Sequence, residues 1–196
     1  MCSTGDGIFI GVSMGELYLI RHGRTEANEK WLYCGSTDLF LSEKGAEDLN
    51  GISYDVPADT LFITSGMNRT EQTLQILFGD VAHKIDKRFR EVNFGIFEMK
   101  SYESLKEQEN YQIWISGDNE KNVPPKGESG EQMKIRVLEG LQDLFKEEYS
   151  VVLVCHGGVI AAIMEHLYSN ENKNRYQWQP KPGHGYLIKD GKYQEI

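Results

Sequence analysis

Cysteine is scarce. The 196-residue chain carries three, Cys2, Cys34 and Cys155, widely spaced and with no CxxC pair. An odd, scattered set argues against a disulfide framework and fits a reducing compartment, so the protein is expected in the cytoplasm. Basic residues are outnumbered, 21 Lys and Arg against 30 Asp and Glu, for a net charge of −9. A surface of that sign does not track phosphate backbones, so no nucleic-acid partner is expected. No apolar run approaches the ~18 residues of a membrane span. The first residues lack a basic segment followed by a long apolar one, so no secretory signal is read. HExxH, internal repeats and low-complexity tracts are also missing. Residues 1–13, rich in Gly and Ser, are expected to be an extension without function ahead of a single domain over 14–196.

With 39% hydrophobic residues, the chain can bury one sizeable core. "ELYLIR" (16–21), "DTLFITS" (59–65), "HKIDKRFREV" (83–92, its first part) and the wholly apolar "SVVLVCH" (150–156) read as strands. "LSEKGAEDLN" (41–50), "MNRTEQTLQILF" (67–78), "SYESLKEQENYQIWIS" (101–116) and "GGVIAAIMEHLY" (157–168) read as helices. In 67–78, Met67, Leu74, Ile76, Leu77 and Phe78 roughly trace one face. A long amphipathic helix over 127–148 has Ser129 as its cap, and 185–196 reads as a hairpin turning at Asp190-Gly191. Alternating strands and helices predict an α/β fold, a three-layer α/β/α sandwich on a mostly parallel sheet. Residues from about 93 to 126 have no clear strand and are expected to form a small helical insert over one end of it.

Charge gathers where the strands end. The first delivers Arg21 and His22, the second Ser65 and then Arg69, the third His156 with Gly157 and Gly158 behind it. One strand ending in charge merely reaches the surface. Three doing so at the carboxyl edge of a parallel sheet make a ligand site. Two guanidiniums offer bidentate donors, two helices start with free backbone N–H groups, and glycines allow close approach, which together call for phosphate. A metal site is the weaker alternative, because the histidines stand among arginines rather than carboxylates. Cys155, inside an apolar run, reads as a buried thiol. His166 reads as a helix histidine, His83 as a loop residue, and His184 as either structural or site-lining.

Phosphate chemistry at such a site suggests covalent catalysis. One histidine attacks phosphorus and water then releases the phosphoryl group, with the arginines holding the equatorial oxygens. The attacking imidazole must be neutral, which neighbouring guanidiniums favour. The leaving alkoxide needs a proton, and Glu91 in "REVNFG" is the best donor; the alternative is a solvated loop carboxylate paired with Arg90. If Glu91 must be protonated, hydrolysis falls at alkaline pH.

"LIRHGRTEAN", "TSGMNRTEQT", "REVNFGIFE", "GES" and "VCHGGVIAAIM" resemble the histidine phosphatase superfamily, the phosphoglycerate mutase-like proteins, in the family's order and over nearly the whole chain from Gly15. The resemblance implies an α/β/α sandwich and a phosphohistidine intermediate with no metal or cofactor. It makes His22 the nucleophile, Arg21, Arg69 and His156 the rest of the phosphate pocket, and Glu91 the proton donor and later base. It adds Asn28 as a phosphate contact and places Ser36 or Thr37, with Gly157, near the ligand. Four residues depart from the family's pattern. Arg24 stands where Glu or Gln is usual, Phe40 for Pro, and Met99 and Lys126 each for Gly.

The family's mutases are longer, with a tail over the site, whereas 40 residues follow His156 here. Keeping a bisphosphorylated intermediate needs an enclosed, water-poor site. The expectation is therefore a phosphomonoester hydrolase for a small metabolite, similar to short bacterial phosphatases that include α-ribazole phosphatase and broad-specificity enzymes. Phosphoglycerate mutase-type transfer, a non-catalytic phospho-ligand sensor, and a phosphohistidine protein phosphatase are the alternatives. Presence of both His22 and Glu91 disfavours the sensor, and the insert disfavours the protein phosphatase. Tyr111 and Trp114 are candidate pocket walls or insert packing, and Trp178 and Tyr186 share that ambiguity.

Overall fold

One sheet organises the chain. In the computed structural model, which describes residues 15–118 and 120–196, its strands are β1 (Leu17–Arg21), β2 (Leu61–Thr64), β3 (His83–Ile85), β4 (Val151–Cys155), β5 (Gly185–Lys189) and β6 (Lys192–Glu195). Their order is β3-β2-β4-β1-β5-β6. The first four are mutually parallel, and the β5–β6 hairpin closes one edge antiparallel to β1. Residues 1–13, expected to be an extension, lie outside the described residues.

Strand alternation decides the layers. Leu17, Leu19, Val151 and Leu153 point to one face, beneath Met133, Val137 and Leu141 of one helix and Val159, Ile160 and Ile163 of another. Tyr18, Ile20, Val152 and Val154 point to the other, beneath Leu74, Leu77 and Phe78. β4 is buried along its whole length, as a central parallel strand covered on both sides must be. The sandwich expected from the sequence is present.

The helices are α1 (Glu26–Glu29), α2 (Glu43–Glu47), α3 (Asn68–Phe78), α4 (Tyr102–Leu105), α5 (Glu109–Ile115), α6 (Gly130–Leu144) and α7 (Gly157–Leu167). Ser42 caps α2 by accepting from Gly45 N, and Ser129 caps α6 in a capping box with Gln132. Two expectations need correction. On α3 the inward face carries Arg69, Thr70 and Thr73 beside Leu74, while Ile76 is exposed. The helix read over 101–116 breaks into α4 and α5. Leu105 and Tyr111, six residues apart, would point in different directions from one straight helix. The break turns both into a small cluster with Phe97, which is the core of the insert.

Two of the departures from the family's pattern have a backbone meaning. Met99 and Lys126 have φ of 59° and 62°, the left-handed region that glycine enters without steric cost. Met99→Gly and Lys126→Gly are each expected to stabilise by about 0.5–1 kcal/mol, raising Tm by roughly 2–4 °C in a scanning calorimeter. A lowered Tm in both would show that the side chains, not the backbone, govern these positions.

Candidate functional site

The site forms where β1, β2 and β4 end. Past its last ladder pair, His22 N donates to the Cys155 carbonyl at 2.9 Å, tying the ends of β1 and β4 together. His156, the next residue, is the N-cap of α7, so the two imidazoles meet edge to face with ring centroids 5.1 Å apart. Arg69, in the first turn of α3, is buried and spans the gap. Its terminal nitrogens donate to Gly35 O (2.7 Å) and Thr37 O (2.9 Å), and its Nε to His156 Nδ1 (3.3 Å). Arg21 donates to Pro180 O at 2.8 Å, while its buried Nε has no partner among the described residues. A buried guanidinium N–H left open is a ready anion donor. Neither α3 nor α7 is capped by the side chain of its own N-cap residue; carboxylates from elsewhere serve instead, Asp38 accepting from Asn68 N of α3 at 2.8 Å and Glu91 from Gly158 N of α7.

Hydrogen bonding fixes both imidazoles. His22 Nδ1 lies 2.6 Å from Gly23 O. A carbonyl only accepts, so Nδ1 carries the proton and Nε2 keeps its lone pair. Arg69 Nε only donates, so His156 Nδ1 accepts and its Nε2–H donates to Ser65 Oγ, 2.8 Å away. Ser65 in turn meets Thr70 Oγ1 at 3.1 Å, and Thr70 donates to Met67 O. Burial drives both histidines well below their ordinary value. Arg69 and Arg21 push His22 further down, as Arg69 and His22 do for His156. Both rings are therefore neutral, and the one with a free lone pair is His22.

Glu91 faces the pair from the loop after β3. Its Oε2 accepts from Gly158 N and its Oε1 from Val92 N, both at 2.9 Å, which fixes the carboxylate plane. The alternative pairing with Arg90 does not occur; Arg90 donates to Ser65 O. A Cβ on Gly158 would sit 2.4 Å from Glu91 Oε1, and one on Gly157 would sit 3.2 Å from Arg21 Cζ. Gly158→Ala is expected to push Glu91 aside while leaving Tm within a few degrees, because the carboxylate end is flexible. Steady-state kinetics should show kcat down by about 10²-fold, the scale of a lost general acid.

The remaining expected residues lie nearby, with their hydrogen bonds already assigned. Asn28 Oδ1 accepts from Thr25 N and Oγ1, leaving its amide nitrogen as the donor. Ser36 Oγ donates to Asn93 Oδ1 and Thr37 Oγ1 to Glu98, so Thr37 reaches the site through its carbonyl on Arg69. His184 is turned to the Ile196 carbonyl. Tyr111, Trp178 and Tyr186 are buried packing residues, and Trp114 packs with Tyr111 on the insert core. Pocket walls come instead from Trp31, Tyr33 and Tyr102, which line a cavity of about 840 Å³ that also includes Arg21, Arg24 and Asn28.

Glu98 was missed. Its carboxylate accepts from Gly35 N, Ser36 N, Thr37 N and Phe94 N besides Thr37 Oγ1, holding the loop whose carbonyls hold Arg69. Burial alone would raise this carboxyl, but bonds from Thr37, Phe94, Ser36 and Gly35 outweigh it and keep it below its ordinary value. A carboxylate in an otherwise apolar "FGIFE" was the available signal. Burial pushes the Cys155 thiol up, which makes it inert.

Two histidines and two arginines thus gather at the carboxyl edge of an α/β/α sandwich. The profile of the histidine phosphatase superfamily (branch 1) matches residues 17–189, and the chain belongs to that family. It is 29% identical over 164 residues to adenosylcobalamin/alpha-ribazole phosphatase of Escherichia coli (strain K12), covering 77% of this chain and 78% of the relative. It is 31% identical over 160 residues to a probable phosphoglycerate mutase, GpmB, of Enterobacter sp. (strain 638), covering 77% and 74%. The crystal structure of the alpha-ribazole phosphatase from Shigella flexneri superposes with a TM-score of 0.80 at 26% identity, over 92% of this chain and 94% of that one.

Proposed function

We propose that the protein is a metal-independent phosphomonoester hydrolase acting through a phosphohistidine on a small phosphorylated metabolite. The observation that carries this reading is the bare Nε2 of a buried, neutral His22 beside Arg69 and beside Arg21, whose Nε lacks a partner among the described residues. Nε2 attacks phosphorus as the P–O bond to the alcohol breaks, and protonated Glu91 gives its proton to the leaving oxygen. Water then attacks the phosphoryl group, Glu91 takes the water's proton, and the Nε2–P bond breaks. Arg21, Arg69 and the Asn28 amide hold the oxygens, His156 orients the Arg69 guanidinium by accepting from its Nε, and Gly157 lets the Arg21 guanidinium lie close. Ser36 and Thr37 support this pocket through the Arg69 loop.

Hydrolysis needs water at the second step, and the cavity beside Arg21 is rimmed by exposed Trp31 and Tyr102. That openness favours water over retention of a bisphosphorylated intermediate. Similarity to GpmB keeps mutase-type transfer as the second reading. The relatives named as alpha-ribazole phosphatases make α-ribazole 5′-phosphate the first metabolite to try. Cys34 and Cys155 are unpaired, which suits the cytoplasm. The test is hydrolysis of p-nitrophenyl phosphate in EDTA, with rapid quench for acid-labile, alkali-stable phosphoprotein. Turnover with a trapped phosphohistidine supports the hydrolase. Phosphoryl transfer to 3-phosphoglycerate without phosphate release would make it a mutase.

A further inference from the structure

The chain leaves its most exposed tryptophan in a strained conformation beside the phosphate site. Helix α1 ends in a Schellman motif, with Leu32 N bonded to Ala27 O (2.9 Å) and Trp31 N to Asn28 O (3.4 Å). The residue between must be left-handed, a place usually taken by glycine. Here it is Trp31, at φ 54° and 87% exposed. The left-handed backbone costs stability, and an indole left 87% exposed gains little by burial to offset it.

Position gives the indole a use. Trp31 lines the cavity of about 840 Å³ together with Tyr33 and Tyr102, and that cavity shares Arg21 and Asn28 with the phosphate pocket. Asn28 is locked by the α1 capping box, and Leu32 bridges to Ser101 of the insert. The indole is thus held three residues from a phosphate-pocket side chain, on backbone fixed at both ends.

We propose that Trp31 is a stacking platform for the alcohol part of the substrate, so that the preferred substrates are phosphomonoesters bearing a planar ring. The proposal rests on the hydrolase reading of the same site. A flat ring entering beside Arg21 covers the exposed indole face, and stacking repays the cost of the left-handed backbone only when such a ligand is bound.

The test uses two non-hydrolysable probes, 2-phenylethylphosphonate and 3-methylbutylphosphonate, with wild type, Trp31→Gly and Trp31→Phe. In titration calorimetry, Trp31→Gly should weaken the ring probe about 5- to 10-fold and change the ring-free probe less than twofold. Trp31→Phe should recover most of the loss. Trp31→Gly should fold with an equal or higher Tm, since its φ suits glycine. In parallel, the KM for benzyl phosphate should rise in Trp31→Gly with kcat unchanged, against no change for isobutyl phosphate. Equal effects on both probes, or none on either, overturn the platform. Failure of wild type to hydrolyse either ester while it binds the ring probe through Trp31 would sink the hydrolase reading and leave the platform standing.

Discussion

Replacing His22 with alanine takes phosphomonoester hydrolysis down by at least about 10⁴-fold. The proposed route has a single nucleophile, because only His22 offers a lone pair. His156 spends its Nδ1 on Arg69 and its Nε2–H on Ser65. What remains in the variant is direct attack by water, helped by the same arginines. Stability should suffer little by comparison. Among the described residues His22 makes one side-chain hydrogen bond, to Gly23 O, so the loss is about 1–2 kcal/mol plus a small cavity. Inorganic phosphate should still bind, since Arg21 and Arg69 are untouched. A His22→Ala variant that binds phosphate and keeps within 10-fold of wild-type kcat on the same preparation would exclude the phosphohistidine.

Acid should unfold the protein steeply between pH 7 and 5. His22 and His156 are held neutral in the fold, both with values well below the ordinary 6.5. The unfolded chain binds a proton at each below about pH 6.5, while the native state does not. The sign is therefore one of stability rising with pH. It is fully present above 6.5 and is lost as pH falls toward the depressed native values. Each histidine contributes a slope of about 1.4 kcal/mol per pH unit in that window, or together up to about 4 kcal/mol between pH 7 and 5. Urea titrations across this range measure it. His22→Ala should lower the slope by close to one proton's worth. An unfolding free energy flat from pH 7 to 5 would mean that the rings are charged in the native state.

Much of this protein can be read along the chain. β1 and β4 announce themselves because a buried parallel strand must be apolar end to end. Ser42 and Ser129 mark helix starts because a side-chain oxygen is needed there. His22, Arg69 and His156 are legible because each stands directly at a strand end or in the helix turn that follows one. What failed to show has equally plain causes. The α4–α5 break serves the insert's own three-residue core, which no local period encodes. Ile76 looked inward because periodicity counts apolar residues and could not know that Arg69, Thr70 and Thr73 would take the inner face. Tyr111 and Trp178 carry the same composition whether they wall a pocket or fill a core.

The sequence by itself determined the layered α/β architecture and which residue types meet at the sheet edge, because strand and helix periods and chain order are local properties. Tertiary structure alone decided the states of those residues. The tautomers of His22 and His156 depend on Gly23 O and on Arg69. The pose of Glu91 depends on Gly158 N, 67 positions away. Glu98 acts on Arg69 through a loop some sixty residues upstream of itself. Hydrogen bonds between distant segments are set by where the backbone returns, and that return exists only once the core has formed.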